Sequence, residues 1–238
     1  MRRSHGSLRT LSAETPRLLT SRRGLLRGSV MLAGSGTLAL AYASAPVLSG
    51  RRLAVAQNND FFEDEVDVLN FALRLERLDS TLYRSGLEEF DDDAFVHAGY
   101  DESVRDYLAQ IVENEETQVE FLTNTITDLG SEPVGEDEYT FPYTTLPEFL
   151  ALSQQVEEVG LDAYTGAAQY LIDNDELLTA ALTIHGVEAR HLAYFRLLNG
   201  AVPFPEAFEA PLTPPEVLAA VEPFIVGGVG TPAAGGTS

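Results

Sequence analysis

Residues Leu177–Leu198 read LLTAALTIHGVEARHLAYFRLL, and stepping through them by four and three residues selects Leu177, Ala181, Ile184, Glu188, His191, Phe195 and Leu198. That step follows one face of a helix with 3.6 residues per turn, so an apolar stripe is interrupted at its centre by a Glu-x-x-His pair. Three earlier segments show the same design. The first gives Phe62, Val66, Leu69, Leu73, Glu76, Ser80, Tyr83 and Leu87. The second gives Val104, Leu108, Ile111, Glu115, Gln118, Leu122, Thr125 and Leu129, with Glu113, Glu116 and Glu120 on the opposite face. The third gives Leu150, Ser153, Glu157, Gly160, Tyr164, Ala167 and Leu171, while Glu158 joins Gln155, Asp162, Thr165 and Gln169 on a polar stripe. An ionised carboxylate buried without a partner costs several kcal/mol, so four converging on one core require cations, shared protons or both.

Turn and cap signals set the helix ends at roughly 60–86, 101–129, 147–172 and 174–199. Asp60-x-x-Glu63, Thr145-x-x-Glu148 and Asp173-x-x-Glu176 each place a capping residue three positions before a glutamate, and Asp101 is placed to cap the second helix. Gly86, Gly130 and Gly200 are expected to close three helices. Helices three and four are joined by a very short connection and must be antiparallel, while an acidic loop containing Asp91, Asp92 and Asp93 links helices one and two. The link 130–146 is different: Pro133, Gly135, Pro142 and the aromatic patch Tyr139-Thr140-Phe141-Pro142-Tyr143 predict an extended, packed strap. At about 3.3 Å per residue it reaches ~55 Å, enough to run the length of a helix and start the third parallel to the second. With that topology Glu76, Glu115, Glu157 and Glu188 lie at similar heights, roughly 15–21 Å from a common end, and can share one site. The expected architecture is an all-α four-helix bundle over 57–200, a C-terminal extension over 201–226 with a short helix opened by Thr213-Pro214-Pro215-Glu216, and a disordered tail over 227–238.

The first 56 residues are a separate matter. Nine arginines and one acid, Glu14, precede Gln57, whereas six arginines face thirty-six acids after it. Ser21-Arg22-Arg23-Gly24-Leu25-Leu26-Arg27, followed by a weakly apolar run rich in glycine and alanine, resembles a twin-arginine export signal. Cleavage after Ala54-Val55-Ala56 is preferred to cleavage after Ala43-Ser44-Ala45, which Pro46 follows; an uncleaved membrane anchor is the alternative, since the run approaches the ~20 residues that a span needs. The expected location is therefore extracytoplasmic or at the cell surface, with membrane contact only through this leader. The remainder lacks lysine, and its dense carboxylates resemble those of proteins from extreme halophiles, where molar salt shortens the Debye length to about 3 Å. So acidic a body repels a nucleic-acid backbone. The chain has no cysteine, which excludes disulfides, thiolate metal sites and thiol nucleophiles. Formation of homo-oligomers is left open.

In di-iron and di-manganese carboxylate bundles two helices each supply one Glu and the other two each supply Glu-x-x-His. Along this chain the corresponding residues are Glu76, Glu115-x-x-Gln118, Glu157 and Glu188-x-x-His191. The chain resembles the ferritin-like family that includes plant desiccation-related proteins and exported bacterial and archaeal members. The motifs that carry the resemblance are Leu69–Glu76, Val119–Leu122, Glu157–Ala168, Val187–His191 and Ala207–Thr213, and together they span nearly everything after residue 60. The resemblance implies a crossover between helices two and three and a di-metal site of iron or manganese, with possible chemistry in Fe(II) oxidation or oxidative-stress handling.

One departure bears on that implication, because Gln118 offers a neutral amide where the pattern has an imidazole and should weaken one metal position. His185, one turn before Glu188, either leans into the site or sits on the adjacent face as a core or interface residue, and the latter is preferred; His97 is expected on the surface. Asp79 competes with Glu76 as the inward acid of helix one through the stepping Val68, Ala72, Leu75, Asp79 and Leu82, and Glu76 is preferred. Tyr83 and Tyr164 are expected mainly to pack, although a phenol two turns from a glutamate can also bond a ligand. The competing readings are a metal-free scaffold or stress-protective envelope protein whose glutamates are protonated, and a surface module that docks through the aromatic patch. Whether any residue is catalytic is not legible.

Overall fold

A computed structural model describes residues 61–228. The twin-arginine segment, both cleavage sites and the tail beyond Gly228 lie outside the described residues. Among the described residues there are six α-helices: α1 (Glu65–Glu89), α2 (Asp92–His97), α3 (Ser103–Asp128), α4 (Leu146–Ala167), α5 (Asp175–Leu198) and α6 (Pro214–Val221). A 3₁₀ turn, Ala168–Leu171, extends α4, and another, Glu222–Phe224, follows α6. Among the described residues there is no strand, only an isolated antiparallel bridge between Tyr139 and Ile225, and no helix is long and apolar enough to cross a membrane.

The direction of each long helix follows from contacts at its ends. Arg105, near the start of α3, donates to the carbonyls of Leu87 and Phe90 at the end of α1. Phe149, near the start of α4, also meets Phe90, with ring centroids 6.0 Å apart. Both helices therefore begin where α1 ends, which makes α3 and α4 parallel. Asn199, which caps the end of α5, donates to the Leu150 carbonyl, so α5 runs opposite to α4. This is the all-α bundle with a crossover between the second and third long helices that the sequence predicts.

The crossover is held along its length. Asn70 on α1 accepts from the Val134 amide at 2.6 Å, Arg77 donates to the Val134 carbonyl, and Arg74 pairs with Asp137 at 2.9 Å. Beyond that point Tyr139, Phe141 and Tyr143 stack in sequence, and Tyr143 meets Phe149 edge-on. The outer edge of the strap bonds to the C-terminal segment through Thr140 N to Phe224 O and Val226 N to Glu138 O.

Several sequence expectations shift. The start of α1 is capped by Asp64, whose side chain accepts from Val66 and Asp67, and not by Asp60. Asn174, not Asp173, caps α5. The Thr145–Glu148 box forms as expected, and the Asp101 carboxylate accepts from Ser103 at the start of α3. Gly130 and Gly200 close their helices at φ 83° and 70°, but Gly86 does not close α1. It is an interior position, where an added Cβ would lie 2.2 Å from the Phe149 ring. The acidic loop contains the short helix α2, capped by Asp91, whose Phe95 is buried against Tyr100. Its His97 is exposed, as predicted. On α3 the inner stripe ends at buried Ile126 and not at Thr125: a 4–3 step averages 3.5 residues against the helical 3.6, so the face drifts by about one residue over several turns.

Asp162, assigned to the polar stripe of α4, is buried. The C-terminal extension crosses α4 there: the Leu212 amide donates to the Asp162 carbonyl, and a Cβ at Gly166 would fall 1.9 Å from the Leu212 oxygen. A segment outside the bundle thus buries a face that periodicity alone marks as exposed.

Candidate metal centre

The four long helices bring their inward acids together. Glu76, Glu115, Glu157, Glu188 and His191 are all at most 5% exposed. Glu115, Glu157, Glu188 and His191 place ligand atoms within 4.8 Å of one another, and so do Glu76, Asp79, Glu115 and Glu188. The two groups share Glu115 and Glu188. The sequence alternative of Glu76 or Asp79 is therefore not exclusive, because adjacent turns of α1 point both acids inward. Glu158 faces away, as expected, and pairs with Arg196 at 2.6 Å.

Two tyrosines cross between α1 and α4. Tyr83 on α1 donates to Glu157 Oε1 on α4 at 2.7 Å, and Tyr164 on α4 donates to Glu76 Oε1 on α1. Each phenol is thus a site component, where the sequence reading favoured packing alone. The signal was present, since each lies seven residues from the glutamate of its own helix. In an antiparallel pair that spacing delivers the hydroxyl to the other helix's acid.

His191 turns Nδ1 toward the carboxylates, 2.8 Å from Glu115 Oε1, 3.6 Å from Glu157 Oε1 and 3.9 Å from Glu188 Oε1. Its Nε2 lies 3.1 Å from the Asn114 amide nitrogen. A half-turn of that amide offers its oxygen to Nε2–H and leaves the Nδ1 lone pair for an ion. Periodicity gives no hint of Asn114, which falls off the inner stripe. His185 is half-buried and contacts Thr165 on α4 at 3.1 Å, and it belongs to neither ligand group, in line with the interface role preferred from sequence.

Burial raises all five carboxyls above their ordinary range, Glu157 to about 8. Neighbouring acids push Asp79, Glu115 and Glu188 further in the same direction. Burial, then Arg190, lowers His191 to about 4. Burial thus disfavours charge on both partners of the 2.8 Å approach of His191 to Glu115.

The donor set fits a metal. Glu76 Oε2, both oxygens of Glu115, Glu157 Oε2, Glu188 Oε1 and His191 Nδ1 are buried with no partner outside the cluster itself. Unpartnered buried acceptors are costly, about 1–3 kcal/mol each, and an ion at their focus satisfies several at once. Gln118 is also buried, with its Oε1 unpartnered.

Fold and cluster together define a four-helix carboxylate bundle. The chain belongs to the ferritin-like domain family, whose sequence profile matches residues 64–201, more than half of its length. It is also similar to protein rds1 of Schizosaccharomyces pombe, with 27% identity over 169 residues. That match takes in 70% of this chain and 40% of the yeast protein, so the chain spans well under half the length of this relative.

Proposed function

We propose that this bundle binds a pair of divalent transition-metal ions, iron or manganese, and that it works outside the cytoplasm in metal handling or oxidative-stress protection. The observation that carries the reading is the pair of overlapping ligand groups joined through Glu115 and Glu188, whose inward oxygens have no partner outside the cluster. Shared carboxylates at the overlap suit two neighbouring ions. The family match supports the same chemistry by analogy. An iron pair would supply the electrons for reduction of oxygen or peroxide, coupled to Fe(II) oxidation.

The chain's own residues have distinct tasks in this scheme. His191, neutral at physiological pH, offers an imidazole lone pair without first losing a proton. The glutamates release protons as they take up an ion, which makes uptake favour higher pH. Tyr83 and Tyr164 fix one oxygen each of Glu157 and Glu76 and leave the other free. An apolar pocket lined by Leu69, Ala72, Leu122, Ala163, Tyr164 and Ile184 adjoins Glu76 through Tyr164, which lines it and bonds that acid.

Support for export comes from Arg22 and Arg23 and the apolar run after them. The test of the function is elemental analysis of protein purified in high salt, followed by Fe(II) and Mn(II) titration of the chelator-treated form. Uptake approaching two ions per chain is expected. A folded protein that takes up neither metal at neutral pH leaves the metal-free scaffold as the correct reading.

A further inference from the structure

We infer that Asp79 supplies, at the second metal position, the ligand that an imidazole supplies at the first, and so creates an all-oxygen pocket for a hard divalent cation such as Mn(II). The inference rests on the metal reading above and concerns which side chains divide the two ions between them.

The two halves of the bundle correspond residue by residue around the site. Exchange of α1 with α4 and of α3 with α5 matches Glu76 to Glu157, Tyr83 to Tyr164 and Glu115 to Glu188. The Glu-to-Tyr spacing is the same in α1 and α4, and each tyrosine bonds the other helix's acid. Under this correspondence Gln118 stands where His191 stands in the other half, and Asp79 stands where Gly160 stands. The half that lacks an imidazole thus carries an additional carboxylate, and the half that has one carries no side chain at the matching place.

Packing agrees with that division. A Cβ on Gly160 would lie 3.6 Å from Asp79 Oδ2, so the carboxylate reaches α4 opposite a residue without a side chain. Asp79 is 3% exposed and joins Glu76, Glu115 and Glu188 in the second ligand group. Glu76 Oε2, both Glu115 oxygens and Glu188 Oε1 remain buried there with no donor outside the acid cluster, and an ion at their focus would satisfy them together. An anionic carboxylate is a stronger ligand for a hard cation than the neutral amide of Gln118. Oxygen-only donors suit Mn(II), whereas the position that includes His191 also suits Fe(II) or Zn(II).

The test is equilibrium dialysis of chelator-treated full-length protein against Mn(II), with manganese anomalous diffraction on soaked wild-type crystals. The wild type is expected to take two ions, Asp79→Asn one, His191→Ala one and Gln118→Ala two. The weaker anomalous peak should be bonded by Asp79. Two ions bound by Asp79→Asn with affinities within threefold of wild type, or a second peak bonded by Gln118 and not by Asp79, overturns the inference while the metal reading stands. A single wild-type ion held at His191 does the same. No manganese in the wild type defeats the metal reading and this inference together. If Asp79→Asn does not fold, the position of the second wild-type peak decides.

Discussion

The Tyr83 hydroxyl on α1 donates to Glu157 Oε1 on α4 at 2.7 Å, and the bond joins two residues 74 positions apart in the sequence. Because Glu157 is fully buried, the phenol is the group that stands in for water at that oxygen. Removing the hydroxyl alone, Tyr83→Phe, leaves the ring in place against Phe195 and strands the oxygen. The expected cost is about 1–3 kcal/mol in the metal-free protein. Guanidinium unfolding in the presence of chelator measures it. A midpoint equal to that of the wild type would show that the bond does not hold the site together.

The shared carboxylates should behave differently from the private ones. Glu115 and Glu188 belong to both ligand groups, and His191 and Glu157 to one. Glu188→Gln is therefore expected to weaken uptake of both ions by at least tenfold, and His191→Ala to remove only one. Isothermal titration with Mn(II) separates the outcomes. Equal loss in the two variants would mean that the ions do not share Glu188.

Metal-free stability should fall as pH rises from about 6.5 to 8. Burial raises Glu157 from 4.5 to about 8, so its protonated form contributes stability that is complete below pH 4.5 and lost as pH rises through 8. His191 acts in the other sense: lowered to about 4, it contributes stability present above pH 6.5 and lost as pH falls through 4. Above pH 6.5 the imidazole is neutral in both the folded and the unfolded chain, which leaves the carboxyls to set the slope, at most about 1.4 kcal/mol per pH unit for each. Bound Mn(II) replaces those protons and should abolish or reverse the trend. Thermal melts at pH 6.5 and 8, in high salt with and without metal, check the sign.

Gly166→Ala is expected to release the C-terminal extension from α4. The added methyl meets the backbone oxygen of Leu212 at 1.9 Å, and backbone cannot swing aside as a flexible side chain can. A loss of about 1–3 kcal/mol follows from overpacking of this kind. Faster amide exchange at Leu212 in the variant would locate the effect, and unchanged protection there would refute it.

Replacing both Arg22 and Arg23 with Lys should hold the precursor in the cytoplasm of the producing cell, because the paired guanidinium groups are what mark a twin-arginine leader. Immunoblots of cell fractions read the result. Unaltered secretion would indicate a different route.

The legible parts of this molecule are those decided within one helix. Glu157 and Glu158 face opposite ways as the stepping requires, and the Thr145 box forms where local sequence places it. What escaped depends on a second element. Gly86 looks like a helix stop until Phe149 is seen against it, and Asp162 looks solvent-facing until Leu212 covers its turn. The preference for Glu76 over Asp79 is narrower than the structure for a related reason: both are buried, because a bundle interior admits more than one stripe of α1, and periodicity ranks stripes without telling how wide the buried face is.

The bridge from Tyr139 to Ile225 sets the order in which this protein can be built. Its flanking bonds, Thr140 to Phe224 and Val226 to Glu138, enclose all of α4, α5 and α6. Contacts that span so much chain are the slowest to close. While the ribosome is still delivering α5, the strap can lie along α1 through Asn70 and Arg74, but its outer edge has no partner. The final pairing waits for Phe224 to Val226, so a nascent chain carries its aromatic strap half-dressed until α4, α5 and α6 have all been made.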